Sequence, residues 1–286
     1  MKFHIIIPAH NEAGFIGKTL QSLVEQTFLP EKIVVVNDHS TDNTSEIVRG
    51  FVEKYPFISL VENASEAKHL PGSKVINAFY KGFETINDDY DVICKFDADL
   101  IFPSNYLATL KSIFEKDPKT GMAGGFCYIE KNGDFFLENL TNKDHIRGAL
   151  KAYRKACFLQ IGKLKPAMGW DTVDELLANY HGWKVATDES LHVKHLKPTG
   201  KTYTKAARFK QGEAFYKMRY GFLLTVIAST KLAFLKKDFL FAMYCLQGYF
   251  RAKKENLPFL VSEEEGEFIR DLRWGKIKEK VLNRNT

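Results

Sequence analysis

Through its first 120 residues the chain alternates short β-branched runs with longer stretches whose apolar positions recur at helical spacing. Phe3 to Ile7 stops at Pro8, after which Ile16, Leu20, Leu23 and Val24 mark a helix. Ile33 to Val36 opens a second unit. The polar stretch Asn37 to Asp42 follows it, then a helix from Asn43 to Lys54 for which Ser40, Thr41 and Asp42 are N-cap candidates. The third unit is Phe57 to Val61, a loop from Glu62 to Ser73 and a helix from about Lys74 to Glu84. Val92 to Phe96 reads as a fourth strand, and Asn105 to Lys116 returns to helical spacing after the Phe102-Pro103 break. Short apolar runs suit strands covered on both faces. Their alternation with helices predicts an α/β fold: a Rossmann-like, mostly parallel central sheet with right-handed crossovers and helices on both faces.

From Gly121 the pattern changes. Strands are expected at Met122 to Ile129, which contains Gly124-Gly125, at Asp134 to Leu140 and at Gly148 to Arg154, with a short helix through Ile161. Ala167 to Leu176 reads as a loop entering a helix, with Asp171 or Thr172 as its cap, and Trp183 to Ala186 and Leu191 to His195 as two short strands. Thr202 to Thr286 is a helical extension. Its runs FLLTVIASTKLAFL and FLFAMYCLQGYF are separated by Lys236-Lys237-Asp238 and flanked by Arg208, Lys210, Lys217, Arg219, Arg251, Lys253 and Lys254. Neither run reaches the ~18 to 20 uncharged residues that cross a bilayer. They suit helices lying in an anionic membrane interface, and equally helices that pack on the first domain or form a homodimer.

The totals narrow the class. A length of 286 residues with 45% hydrophobic and 27% charged residues is that of a soluble globular protein. A formal charge of +6 suits an anionic substrate or lipid, and without a long basic tract or aromatic RNA-binding signature it gives no support to nucleic acid. Cys94, Cys127, Cys157 and Cys245 are widely spaced and read as reduced core thiols. MKFHIIIPAHNE lacks the apolar length and cleavage site of a signal peptide, so a cytoplasmic protein is expected.

The candidate chemistry gathers at Asp91 to Leu100, DVICKFDADL, where an apolar strand ends in Asp97 and Asp99. Open α/β sheets bind ligands beyond the carboxyl ends of their strands. Two carboxylates there repel each other unless a positive partner joins them; a divalent metal carrying a diphosphate would be that partner. The bland alternative is a pair that caps a strand and its turn. The topology puts Glu12, Asp38, Asp97 and Asp99 on one rim. Neither a phosphate-binding P-loop nor a G-x-G-x-x-G fingerprint is present, so metal and side chains would have to hold the phosphates. Further along, Trp170 and Gly169 hint at a sugar-facing wall, and a histidine near the acidic rim could complete an Asp/His metal site.

IIIPAHNEAGFIGKTLQSLVEQT, IVVVNDHSTDNT, PGSKVINAFYKGF, FDAD and GWDTVDELLANYHGWKV, in that order, resemble the inverting family 2 glycosyltransferases of the GT-A fold. The resemblance covers roughly residues 3–200 and implies a GT-A domain over 1–200, with a nucleotide-binding half to about 120 and an acceptor half after it. It implies that Pro8, Ala9 and Glu12 line a nucleoside pocket, that Asp38 bonds the base or ribose, and that Lys74 contacts the nucleotide. Asp97 would face ribose or sugar hydroxyls. Asp99 and His195 would hold Mg²⁺ or Mn²⁺ on the diphosphate of a UDP- or GDP-linked sugar donor. The family's Glu-Asp pair falls on Trp170 and Asp171, so the base would be Asp171, with Asp174 or Glu175 as substitutes on the acceptor side beside Trp170. The family's following Arg is replaced in the neighbourhood of Asn179 and Tyr180. The implied acceptor is a glycan or a lipid-linked hydroxyl, in polysaccharide or cell-envelope synthesis. Competing readings are a sugar-nucleotide pyrophosphorylase, whose arginine-containing glycine-rich loop has no counterpart in PAHNEAGF, and a noncatalytic membrane-associated scaffold, against which the retained Asp97, Asp99 and Asp171 argue.

Overall fold

The computed structural model describes residues 1–63, 73–131, 133–138, 143–197 and 205–282. Most of the expected loop after Glu62, the Pro71-Gly72 start of the PGSK motif, the end of the strand expected to reach Leu140, and Pro198 to Gly200 lie outside the described residues. The chain divides into two compact units, one of Met1–Pro166 with Trp170–Thr199, the other of Ala167–Gly169 with Gly200–Thr286.

The first unit begins with β1 (Phe3–Ala9), α1 (Ile16–Val24), β2 (Lys32–Asp38), α2 (Thr44–Lys54), β3 (Ile58–Asn63), α3 (Ser73–Phe83) and β4 (Val92–Phe96). It continues through β5 (Leu100–Ile101), α4 (Tyr106–Lys116), β6 (Thr120–Lys131), β7 (Asp134–Leu137), β8 (Leu150–Arg154), α5 (Lys155–Gln160), α6 (Trp170–Tyr180) and β9 (Lys184–His195). The strands form one sheet in the order β3-β2-β1-β4-β8-β6-β9-β5, with β7 pairing to β6. Strands β1 to β4 are mutually parallel, as the alternating pattern predicts, and Ile5 to Ile7, Ile33 to Val36 and Val92 to Cys94 are wholly buried between the helices. At β4 the direction reverses: β8 runs antiparallel to it, with Phe96 opposite Leu150.

Three expectations are corrected. The two short strands expected between Trp183 and His195 are one twelve-residue strand, β9, which bridges irregular register shifts against β6. Helix α6 starts at Trp170, so Asp171 and Thr172 sit inside its first turn. Ser40 and Thr41 do not cap α2, because they bond across to the neighbouring loop. The Asn11 amide donates to Ser40 Oγ at 2.9 Å and the Thr41 amide to Asn11 Oδ1 at 2.8 Å. Asp42 divides itself, accepting the amides of both Ala13 and Thr44. The loops after β1 and β2 are thereby laced into one rim.

The second unit contains α7 (Lys205–Lys217), α8 (Gly221–Leu235), α9 (Phe239–Lys254) and α10 (Glu263–Leu282). Helices α7 and α9 cross backbone to backbone. A Cβ on Gly212 would lie 1.7 Å from the Cys245 carbonyl oxygen, and one on Gly248 2.0 Å from that of Phe209, so only glycine admits this crossing. Tyr216 packs on Tyr249 and Phe209 on Tyr244 around it. No helix among the described residues is long and apolar enough to cross a membrane.

Candidate functional site

Asp97 and Asp99 follow the carboxyl end of β4, where their loop is held from below by α1. The Thr19 hydroxyl donates to the Ala98 carbonyl at 2.7 Å and accepts the Leu100 amide at 3.0 Å. Ser22 Oγ accepts the Phe102 amide, and Gln26 bonds both Pro103 and Leu107. Thr19 and Ser22 on α1, and Gln26 just past its end, pair backbone groups of this segment that would otherwise be unpaired.

The two carboxylates find different partners. Asp97 is met by the ammonium of Lys95, a buried side chain that also donates to the Gly148 carbonyl and lies 5.4 Å from the centre of the Trp170 ring. The chain itself therefore supplies a positive partner for Asp97, a role for which the sequence suggests a metal. Asp99, nearly buried, faces His195, whose Nε2 lies 3.4 Å from Asp99 Oδ2. The pairing of Leu100 with His195 across β5 and β9 sets that proximity. On its other side His195 Nδ1 is 2.7 Å from Glu138 Oε2, and Arg147 in turn donates to Glu138. Burial pulls the imidazole pKa down, but the two carboxylates outweigh it and raise it to about 9.

This donor set fits a hard divalent cation. Asp99 Oδ2 and His195 Nε2 are an oxygen and an imidazole nitrogen on one face, and Glu138 orients the ring from behind, as the outer carboxylate does in many histidine metal sites. A cation there would displace the Nε2 proton. Cys127, Glu138 and His195 also present ligand atoms within 4.8 Å of one another. That grouping fits Mg²⁺ or Mn²⁺ less well, because burial holds the Cys127 thiol up at about 12 and Glu138 already serves Arg147 and His195.

On the same rim, the Glu12 amide is held by Thr44 Oγ1 and its carboxylate accepts from Lys197 at 3.0 Å. Burial raises its pKa, an effect that Lys197 opposes and that Asp99 and Asp97 reinforce. Its second oxygen is buried with no hydrogen-bond partner among the described residues. Asp38, also buried, accepts from Asn63 at 2.8 Å and lies 3.6 Å from the Lys74 ammonium. The His10 ring donates to the Asp38 carbonyl. Pro8 and Ala9 complete the end of β1.

The three acids of α6 separate. Asp174 and Glu175 turn inward onto Lys151 of β8, a side chain with no solvent exposure: Nζ lies 2.8 Å from Asp174 Oδ1 and 3.0 Å from Glu175 Oε1. Burial opposes the charge on Lys151, but the acids beside it prevail and raise its pKa. Tyr153 donates to Asp174, and His145 Nδ1 lies 2.8 Å from Glu175 Oε2. Asp171 keeps an open carboxylate, 35% exposed, with His145 Nε2 at 4.0 Å. The sequence reading did not single out Lys95, Glu138, His145, Lys151 or Lys197. A lysine inside the apolar run of β4 was the one visible signal; the others depend on pairings between distant segments.

The family model described as "Glycosyl transferase family 2" matches residues 4–164. The probable glycosyltransferase YdaM of Bacillus subtilis (strain 168) is 41% identical over 104 residues, 34% of this chain and 23% of that protein. The uncharacterized glycosyltransferase YibD of Escherichia coli (strain K12) is 30% identical over 52% of this chain and 41% of its own. The chain thus spans less than half the length of these relatives. Among solved structures, S. aureus TarS 1-349 in complex with UDP-GlcNAc superposes with a TM-score of 0.58 at 19% identity, over 79% of this chain and 66% of that one. The mannosyltransferase PcManGT of Pyrobaculum calidifontis, in complex with GDP-Man and Mn²⁺, gives 0.54 at 19% identity, over 74% and 61%. At such identities the likeness speaks for the fold, and the fold is GT-A as the motifs implied. The ordered motifs, the sheet that carries them and the family model's span of more than half the chain lead to one assignment: this chain belongs to glycosyl transferase family 2.

Proposed function

We propose that the protein is a metal-dependent inverting glycosyltransferase that moves a sugar from a UDP- or GDP-linked donor to a hydroxyl of a glycan or lipid-linked acceptor, in cytoplasmic synthesis of a surface polysaccharide. The observation that carries the reading is the division of labour along α6. Asp174 and Glu175 are committed to Lys151, whereas Asp171 retains an open carboxylate on the unit that also joins Asp99 to His195.

Asp99 and His195 would hold Mg²⁺ or Mn²⁺, which when bound neutralises charge on a departing diphosphate. Pro8, Ala9 and Asp38 would line the nucleoside, with Lys74 drawn toward phosphate from its contact with Asp38. The unpaired oxygen of Glu12 suits a ligand hydroxyl as donor. Asp97, with one oxygen on Lys95, keeps the other for ribose or sugar hydroxyls. Trp170, expected in a sugar-facing wall, is buried against the ammoniums of Lys95 and Lys151 and would support that wall from behind. Asp171 takes the proton of the acceptor hydroxyl as that oxygen attacks the anomeric carbon opposite the phosphate, and the bond to phosphate breaks in the same displacement. His145, held through Nδ1 by Glu175, places Nε2 4.0 Å from the Asp171 carboxylate.

The test pairs binding with turnover. Thermal shifts with UDP-GlcNAc, UDP-glucose and GDP-mannose, each with and without Mn²⁺, identify the donor by the rise in Tm. With that donor, Asp171→Asn is expected to lower transfer by about two to four powers of ten while the shift persists. Loss of the shift together with transfer removes Asp171 from the base role. Asp99→Ala is expected to erase the Mn²⁺-dependent part of the shift, and an unchanged metal dependence excludes Asp99 as ligand.

A further inference from the structure

The ends of α8 and α9 that flank their connecting turn carry the two most exposed large apolar side chains of the described residues, Phe239 and Phe234. Phe234 is 77% exposed and Leu235 65% at the end of α8, and Phe239 is 84% exposed and Leu240 53% at the start of α9. Leu223 and Ile227 of α8 and Met243 and Phe250 of α9 are exposed behind them. An isolated exposed Leu is ordinary, but two phenylalanines and two leucines bracketing one three-residue turn form a concentrated apolar point. The hairpin beneath it is firm. Cys245 and Tyr249 are buried, Gly248 and Gly212 lock α9 against α7, and Asp238 in the turn is paired with Arg208 of α7 at 2.8 Å. The exposure therefore belongs to a packed structure and not to a frayed end.

The charges around the point have one sign. From Gly221 to Phe250 the chain carries Lys231, Lys236 and Lys237, all exposed, and the single acid Asp238, which Arg208 engages. A second copy docked point to point would bring these lysines together, whereas anionic headgroups would pair with them while the rings pass into the acyl layer. Exposed apolar residues run along both helices, but exposure is greatest at Phe234 and Phe239 beside the turn, so the turn is the part placed to enter a bilayer deepest.

We infer that the α8–α9 turn is a membrane anchor: Phe234, Leu235, Phe239 and Leu240 insert shallowly into an anionic bilayer, and Lys231, Lys236 and Lys237 contact its headgroups.

Sedimentation of the full chain with vesicles of phosphatidylcholine, alone or mixed equally with phosphatidylglycerol, tests it. Wild-type protein is expected to pellet with the mixed vesicles, and the pair Phe234→Glu and Phe239→Glu to weaken that partition by about tenfold or more. Lys236→Glu with Lys237→Glu is expected to remove the preference for phosphatidylglycerol, since each lysine near a charged surface contributes about fivefold. Phe239→Trp, a mild change, serves if the glutamate variants fail to fold. Its added fluorescence should be quenched by brominated lipid, and protection from that quencher overturns the inference. Wild-type protein left in the supernatant with both vesicle types also overturns it. So does partition unaffected by the glutamates, or a dimer in sedimentation velocity that the glutamates dissolve, which would make the point a contact between copies.

Discussion

In the first unit Lys95 and Lys151 lie inside the protein among carboxylates, while in the second Phe234 and Phe239 stand in solvent. Each arrangement reverses the ordinary partition of residues between interior and surface. The two reversals differ in what sustains them. Buried charge survives because every partner is present at hydrogen-bond distance, so its cost is met locally. Exposed aromatic surface has no such local compensation, and the hairpin holds it in place through a helix crossing some distance away. A rule broken with its compensation alongside marks positioned chemistry; one broken without it marks a surface that awaits a partner.

The sharpest way to break the comparison is Lys151→Met. If the acids of α6 depend on that one ammonium, its loss strands Asp174 and Glu175 and should cost about 3–5 kcal/mol in urea unfolding. Adding Asp174→Asn should recover part of the loss. A cost below about 1 kcal/mol would mean that the cluster is not held by charge. In the second unit the matching test is Gly212→Ala. A methyl group directed at the Cys245 carbonyl must push α7 from α9 and should cost about 3 kcal/mol, observed as an early transition in thermal unfolding. If the two units melt as unrelated transitions, Lys151→Met and Gly212→Ala will each move a different one.

Smaller effects sharpen the picture of the proposed metal side. Glu138→Gln keeps a hydrogen-bond acceptor for His195 Nδ1 but removes the charge, and should weaken Mn²⁺ binding by about 10- to 100-fold in calorimetric titration. Thr19→Val deletes the hydroxyl that serves both Ala98 and Leu100. It should cost about 1–2 kcal/mol and loosen the Asp99 loop, seen as faster amide exchange at Leu100. Little change in that amide would show that strand β5 alone holds the loop.

The parallel half of the sheet was legible because β1 to β4 each repeat the same local grammar: an apolar run, a polar loop and a helix. The acids at those strand ends were legible for the same reason, since periodicity places Asp97 and Asp99 at one edge whatever lies elsewhere. The second half was harder to read. β9 reads as two strands because Thr187 to Ser190 is a polar interruption, and its pairing with β6 does break there, stopping at Thr187 and resuming at His192 with a shift of register. Glu138 and His145 could not be singled out, because nothing in their neighbourhoods announces a role. Their value comes from meeting His195 and Glu175 across 57 and 30 residues of chain. Lys95 could have been noticed, since a lysine in a fully buried strand demands a counter-charge, and Asp97 lies only two residues further along the chain.

The reversal of strand direction at β4 has a consequence for how such a protein can diversify. Because β8 runs antiparallel to β4, its entry lies at the rim where β4 ends, and the segment from Lys143 to Ala149 delivers His145, Arg147 and Gly148 there from a different stretch of chain than the one bearing the aspartates. Substitutions in that segment can alter this side of the rim and leave the parallel strands, with their register and their acids, untouched.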